Sequence, residues 1–259
     1  MTNNRDAKFV FQRPDGAGLE WVKEPPPVGV LMVDPPWQFE DDYAARGANK
    51  KYECLSLEEL KRFPIPRMAK ASILVLWRVG SQVEEAYELG RAWGFVPSGG
   101  ELVWVKYRQC AKCNGKGRAR ADSIALCLNC GGDGEFLFTG GGGTVRNAHE
   151  IAIFFRRTDP NRKTPLIPQR LDRGVKSVLL ARMPIELKEG KRILAHSAKP
   201  EAAATLIEKL YPGPYCELFA RAPRPGWYSS GHEVLKYRVE PGSRFRADVR
   251  SINSNGGEP

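Results

Sequence analysis

Val28-Gly29-Val30-Leu31-Met32-Val33 is a continuous apolar run stopped by Asp34-Pro35-Pro36. A short run with no polar face, bounded by breakers, reads as a strand buried on both sides, as in a parallel sheet covered by helices. Ser72 to Trp77 (SILVLW) repeats the pattern. Leu102–Val105, Ile151–Phe155 and Tyr215–Arg221 supply further strands. Helix signals lie between them. Ser56-Leu57-Glu58-Glu59-Leu60 reads as a capped helix start, with Glu59 three residues beyond the Ser. Ser81 to Trp93 places Val83, Ala86, Tyr87, Leu89 and Trp93 near helical spacing, and Gly94 closes the segment. Lys199-Pro200-Glu201 opens a helix through Leu210, with Pro in the favoured first turn. Strands alternating with helices predict an open α/β sheet. The 259 residues suffice for a large core, and residues 1–259 are expected to form a single domain.

Charge narrows the partners rather than the fold. Lys plus Arg number 40 against 30 for Asp plus Glu, a formal net charge of +10. Such an excess suits a polyanion such as nucleic acid, or an acidic membrane surface. No stretch approaches the length of a spanning helix and the N-terminus carries no apolar signal core, so no membrane role and a cytoplasmic setting are expected. Residues 1–27 form a polar lead-in ending in Pro25-Pro26-Pro27, and the polar segment 237–259 is expected to be a flexible tail. Residues 156–176 hold seven basic residues, three prolines and only Asp159 and Asp172 as acids, the composition of a long basic loop.

Four of the six cysteines fall in an insert at 108–136. Cys110-Ala-Lys-Cys113-Asn-Gly-Lys-Gly117 and Cys127-Leu-Asn-Cys130-Gly-Gly-Asp-Gly134 are two copies of CxxCxGxG, with 13 residues between the knuckles. That spacing can place four thiolates around one structural zinc ion, and the glycines permit the turns that aim them. Unpaired thiols or a pair of disulfides are the competing reading. The repeat resembles the cysteine-rich zinc region of DnaJ-type chaperones, in fewer copies. Four thiolates leave no open coordination position, so a catalytic ion is not expected. Lys106, Arg108, Lys112, Lys116, Arg118 and Arg120 surround the insert, which leaves open a structural clip or a nucleic-acid contact. Cys54 and Cys216 read as small buried residues, and His149 and His196 as structural.

Asp34-Pro35-Pro36-Trp37 directly follows the first buried strand, where α/β sheets bind ligands. Asp34 offers a carboxylate, Pro35 a carbonyl held rigid by the next proline, and Trp37 a flat face for a base. Accepting both hydrogens of an exocyclic aromatic amine would localise its lone pair for attack on a methyl donor. A strand-ending turn with an incidental Trp is the alternative for the tetrapeptide taken alone.

The order of segments resembles the DPPW-type adenine N6-methyltransferases, the MT-A-seventy-like family. The matching segments are Asp34–Trp37, Tyr52 with Ser56–Leu60, Leu74–Trp77, Ala92–Phe95 and Trp104-Val105-Lys106. Arg146-Asn147 with Glu150, His196–Pro200, Glu217–Arg221 and Trp227 with Gly231-His232-Glu233 follow, so the likeness covers about 28–235. The resemblance implies a Rossmann-like methyltransferase sheet flanked by helices and broken by the zinc insert. It also implies S-adenosylmethionine as cofactor and N6-methylation of adenine in nucleic acid. Carried over by position, Asp34, Pro35, Pro36 and Trp37 form the catalytic motif, with Asp34 also near the donor. Ser197 and Lys199 suit the methionine carboxylate, Phe219 and Arg221 the adenosine, and His232 and Glu233 the ribose hydroxyls. Lys106, Asn147 and Glu150 belong on the substrate side. Two departures stand out: Ala222-Pro223-Arg224 follows Arg221 where eukaryotic relatives tend to have Pro-His-Asn, and His232 stands where Asn is usual. DNA is favoured over RNA, in a bacterial or phage-infected cell, with a homo- or heterodimer possible. A non-catalytic nucleic-acid-binding subunit and a cytosine N4-methyltransferase are the competing functions.

Overall fold

The computed structural model describes residues 11–12, 21–22, 24–38, 54–119, 124–140, 144–159, 166–188, 191–194 and 198–231. In chain order the strands and helices are β1 (Phe11–Gln12), β2 (Trp21–Val22), β3 (Val28–Val33), α1 (Leu57–Arg62), β4 (Met68–Arg78) and α2 (Val83–Ala92). Then come β5 (Phe95–Gln109), β6 (Glu135–Leu137), β7 (His149–Arg157), β8 (Val178–Arg182), β9 (Ile185–Lys188) and β10 (Lys191–Leu194). The series closes with α3 (Glu201–Leu210), β11 (Tyr215–Leu218) and β12 (Trp227–Ser230). Their described residues fall into two compact units, one drawn from within Met1–Leu102, Ile151–Ser177 and 207–231, the other from within Val103–Glu150 and Val178–Leu206. Among the described residues no helix is long and apolar enough to cross a membrane.

In the first unit the strand order is β2-β1-β12-β11-β3-β4-β7. β3 runs parallel to β4 (Leu31 opposite Leu74) and to β11 (Leu31 opposite Cys216), while β7 is antiparallel to β4 (Phe154 opposite Val75). All six residues of β3 are buried, which is why an alternating pattern is absent from its sequence. Leu31 and Val33 pack with Leu60 of α1 and with Ala86 and Leu89 of α2. Burying each of these leucine and valine side chains contributes about 1.5–3 kcal/mol. Ser56 and Glu59 form the anticipated reciprocal cap: the Glu59 N–H donates to Ser56 Oγ at 3.3 Å and the Ser56 N–H to Glu59 Oε2 at 2.8 Å. The Trp93 indole N–H donates to the Leu60 carbonyl at 3.1 Å, fastening the end of α2 to α1.

In the second unit the later part of β5 pairs in parallel with β8 (Val105 opposite Leu180) and antiparallel with β6 (Arg108 opposite Phe136). β9 and β10 form a separate antiparallel pair. Trp104 is buried, and its indole N–H donates to the Ala181 carbonyl at 2.9 Å.

Several elements differ from the sequence expectation. The strand begun at Tyr215 ends at Leu218 rather than Arg221, because Phe219 takes φ +58° and turns the chain. Arg108-Gln109 and Glu135-Phe136 are ladder partners, so the cysteine insert proper begins at Cys110 and sits at the tip of a hairpin. Arg156 and Arg157 belong to β7, not to the basic loop; the described residues from 166 to 177 form neither helix nor strand. The polar lead-in contributes β1 and β2. Helix α3 starts at Glu201, with Pro200 immediately before it. The segment 237–259 lies outside the described residues.

Candidate functional site

The strand order places β3 where the connections change direction: β4 follows it on one side and β11 flanks it on the other. In open α/β sheets the crevice at the carboxyl ends of such strands is the ligand site. Asp34 to Trp37 leave β3 at that end. The Trp37 N–H donates to the Pro35 carbonyl at 2.9 Å, closing a three-residue turn centred on Pro36, whose ring restricts φ to the range this turn needs. The Leu55 N–H donates to the Pro36 carbonyl at 2.8 Å and the Gln38 N–H to the Leu55 carbonyl at 3.2 Å, so the turn is pinned to the chain before α1. The Pro35 carbonyl has a second lone pair beyond the one used by Trp37. Asp34 is half-buried beside it.

Trp37 differs from the expectation of an open stacking plate. It is 4% exposed, belongs to the core, and its indole N–H donates to the Trp77 carbonyl at 3.2 Å. Its faces are occupied by protein, and it anchors the turn that carries Asp34 and Pro35.

Phe219 and Arg221 follow β11, the parallel neighbour of β3, at its carboxyl end. A positive φ in an aromatic residue is strained, and such strain collects at ligand clamps. Phe219 packs on Phe63 with ring centroids 4.5 Å apart, and the Ala220 N–H donates to the Ser230 carbonyl at 3.0 Å. Arg221 is half-buried.

In the second unit Lys106, Glu150 and Lys199 come together. Lys106 Nζ lies 3.2 Å from Glu150 Oε1 and Lys199 Nζ 3.1 Å from Glu150 Oε2, with the lysine side chains 9% and 7% exposed. Burial pushes the Glu150 carboxyl up, but Lys199 and then Lys106 outweigh it and hold the group below the usual carboxylate range. Sequence reasoning named all three residues yet divided them between donor and substrate, and their shared carboxylate had no sequence signal. Lys199 sits just ahead of α3, whose N-terminal amides favour an anion. Asn147 is half-buried and its carbonyl accepts the Gly140 N–H at 2.8 Å. His149 is exposed. Ser197, His196, His232 and Glu233 lie outside the described residues.

Cys110, Cys113, Cys127 and Cys130 are all buried, with their sulfurs within 4.8 Å of one another. Cys110 Sγ is 3.9 Å from Cys127 Sγ, and Cys113 Sγ is 3.7 Å from Cys130 Sγ. No cysteine is in a disulfide. Tetrahedral zinc with Zn–S bonds of about 2.3 Å requires sulfur–sulfur edges of about 3.8 Å, so the donor set fits that ion. The Asn129 amide donates to Cys110 Sγ at 3.1 Å and the Gly134 N–H to Cys130 Sγ at 3.3 Å, bonds that favour thiolates. The Cys110 thiol is pulled down to about 6, chiefly by the Cys113 backbone N–H against the effect of burial, with Asn129 adding to the shift. Asn129 escaped sequence reasoning; its place inside the second CxxC was the available signal. The repeat glycines pack reciprocally. A Cβ on Gly117 would lie 2.0 Å from the Gly132 carbonyl oxygen, one on Gly134 2.3 Å from that of Gly115, and both glycines have positive φ. Cys216 is buried and Cys54 half-buried.

Comparison with known proteins gives a consistent result. The MT-A70 family model matches residues 28–173, more than half of the chain. The chain is 29% identical over 217 residues to mouse (Mus musculus) N(6)-adenine-specific methyltransferase METTL4, covering 80% of this chain and 38% of that protein. It is 29% identical over 218 residues to the human (Homo sapiens) counterpart, covering 81% and 38%. The match to Type II methyltransferase M.MunI of Mycoplasma sp is 25% identical over 231 residues, covering 82% of this chain and 79% of that one. The chain thus spans less than half the length of the mouse and human relatives.

Proposed function

The chain belongs to the MT-A70 family, and from that premise we propose that it transfers a methyl group from S-adenosylmethionine to the N6 amine of adenine in nucleic acid, DNA in preference to RNA. The observation that carries this reading is the rigid Asp34-Pro35-Pro36 turn at the carboxyl end of β3, where the strand order reverses. The names of the relatives, two adenine-specific methyltransferases and a Type II methyltransferase, support it.

When bound, the donor supplies an electrophilic methyl carbon. The chain's part is to prepare the amine. Adenine's N6 lone pair is delocalised into the ring and is a poor nucleophile. The Asp34 carboxylate and the Pro35 carbonyl accept hydrogen bonds from its two N–H groups, which returns the lone pair to nitrogen, and Asp34 takes the released proton. Trp37 keeps the two acceptors in register. Lys199, with Ser197, holds the donor's carboxylate; Phe219 and Arg221 flank its adenosine; His232 and Glu233 take the ribose hydroxyls. Asn147, Lys106 and Glu150 stand on the substrate side, with Glu150 joining that group to Lys199. Extruding a base from a duplex costs about a few kcal/mol, and the basic residues of 156–176 are suited to phosphate contacts that offset it. Cys110, Cys113, Cys127 and Cys130 hold a structural zinc that stiffens the hairpin tip. The proposed setting is the cytoplasm of a bacterial or phage-infected cell, as one chain or a homo- or heterodimer.

Incubation with labelled donor and matched DNA and RNA, digestion to nucleosides and identification of the labelled base tests the proposal. N6-methyladenine in DNA is the expected product, and Asp34→Asn should abolish it while leaving the fold intact. N4-methylcytosine would overturn the base assignment. Donor binding with no transfer to either polymer would point to a non-catalytic subunit and overturn the activity.

A further inference from the structure

Lys106 is held more firmly than a phosphate-gripping surface lysine needs to be. Its N–H donates to the Ala148 carbonyl at 2.8 Å, its carbonyl accepts the Phe138 N–H at 2.9 Å, and its ammonium lies 5.8 Å from the centre of the Trp104 ring. A side chain 9% exposed and fixed in a strand is badly placed to follow a mobile polymer. Its ammonium instead meets Glu150 Oε1, while Lys199 meets Oε2 of the same carboxylate.

Resting on the reading that Lys199 binds the carboxylate of the methyl donor, we propose that Lys106 is a positioning residue for that donor, acting through Glu150. A second carboxylate approaching Lys199 must come near Glu150, and two like charges in a poorly solvated site disfavour each other. An ammonium on the far oxygen of Glu150 offsets that repulsion and draws part of the carboxylate's charge away from Lys199. Without Lys106, Glu150 would direct its whole charge at Lys199 and compete with the incoming group. Lys106 thus selects for a ligand carrying a carboxylate without touching it.

The test compares S-adenosylhomocysteine with methylthioadenosine, which shares the nucleoside and thioether but has no amino-acid part. Affinities are measured by calorimetry for wild type, Lys106→Met and Lys106→Arg. The wild type should prefer S-adenosylhomocysteine by about tenfold or more, a difference of about 1.4 kcal/mol. Lys106→Met should lose most of that preference while binding methylthioadenosine as before, and Lys106→Arg should restore it. An unchanged preference in Lys106→Met overturns the inference. So does an equal loss for both nucleosides, which would mark a merely structural residue. An unchanged preference with weakened binding to a short DNA duplex would assign the lysine to a phosphate and overturn it likewise. If the wild type binds neither nucleoside, the methyl-donor reading itself fails.

Discussion

Trp37→Phe separates an anchor from a stacking plate. The indole is 4% exposed and its N–H reaches the Trp77 carbonyl at 3.2 Å. Phe cannot make that bond, at a cost of about 0.5–1.5 kcal/mol. The smaller ring leaves a void in a filled core, adding about 1–2 kcal/mol, the low end for large-to-small changes. Together these give about 1.5–3.5 kcal/mol. For a chain of this size each kcal/mol lowers the midpoint by about 2–4 °C, so Tm should fall by about 3–14 °C in circular dichroism melts. Activity should fall too, and in kcat, because Asp34 and Pro35 ride on the turn that Trp37 fixes. A displacement of about 1 Å at reacting groups can cost about a hundredfold. A stacking plate predicts the opposite pattern. Phe still offers a face, so part of a stacking contribution of about 1–3 kcal/mol would be lost from KM alone. An unmoved Tm with raised KM and wild-type kcat would refute the anchoring role.

Glu150 ties stability to acid pH. Its folded-state carboxyl sits below the usual range, so the stability it contributes is present above the unfolded-state value and is lost as pH falls through the folded one. Glu150→Gln should therefore be less stable than wild type by about 3–5 kcal/mol at pH 7, with the gap narrowing in acid denaturant titrations; a gap independent of pH would sink the assignment. Cys127→Ser should reduce bound zinc from about one ion per chain to near zero by elemental analysis, and a variant that keeps its full zinc would remove Cys127 from the ligand set. Gly90→Ala puts a Cβ 2.5 Å from Phe155 Cε1. Overpacking of about 1–3 kcal/mol should exceed the gain in helix propensity of about 1 kcal/mol, lowering the urea midpoint; a raised midpoint would show that the ring yields freely.

What could be read from the sequence is what depends on neighbours in the chain. The apolar run of β3, the Ser56–Glu59 cap and the paired CxxC knuckles each express a constraint satisfied within a few residues, and the structure bears out all three. The short strands β6, β8 and β12 gave no such signal, since residues such as Trp227–Ser230 become a strand because β11 and β1 lie alongside. The same division runs through the site. The two acceptors proposed for the amine are adjacent, Asp34 and Pro35, and a tetrapeptide suffices to suggest them. The groups that decide whether they function come from afar: Trp37 needs the carbonyl of Trp77, and Glu150 needs Lys106 and Lys199. Sequence assigned Trp37 to stacking because an indole beside a reactive motif offers a face, and only packing reveals that the face is covered. Chemistry that is local in the chain is therefore legible as a motif, whereas positioning and charge balance, which rest on distant partners, become legible only when the sheet brings those partners together.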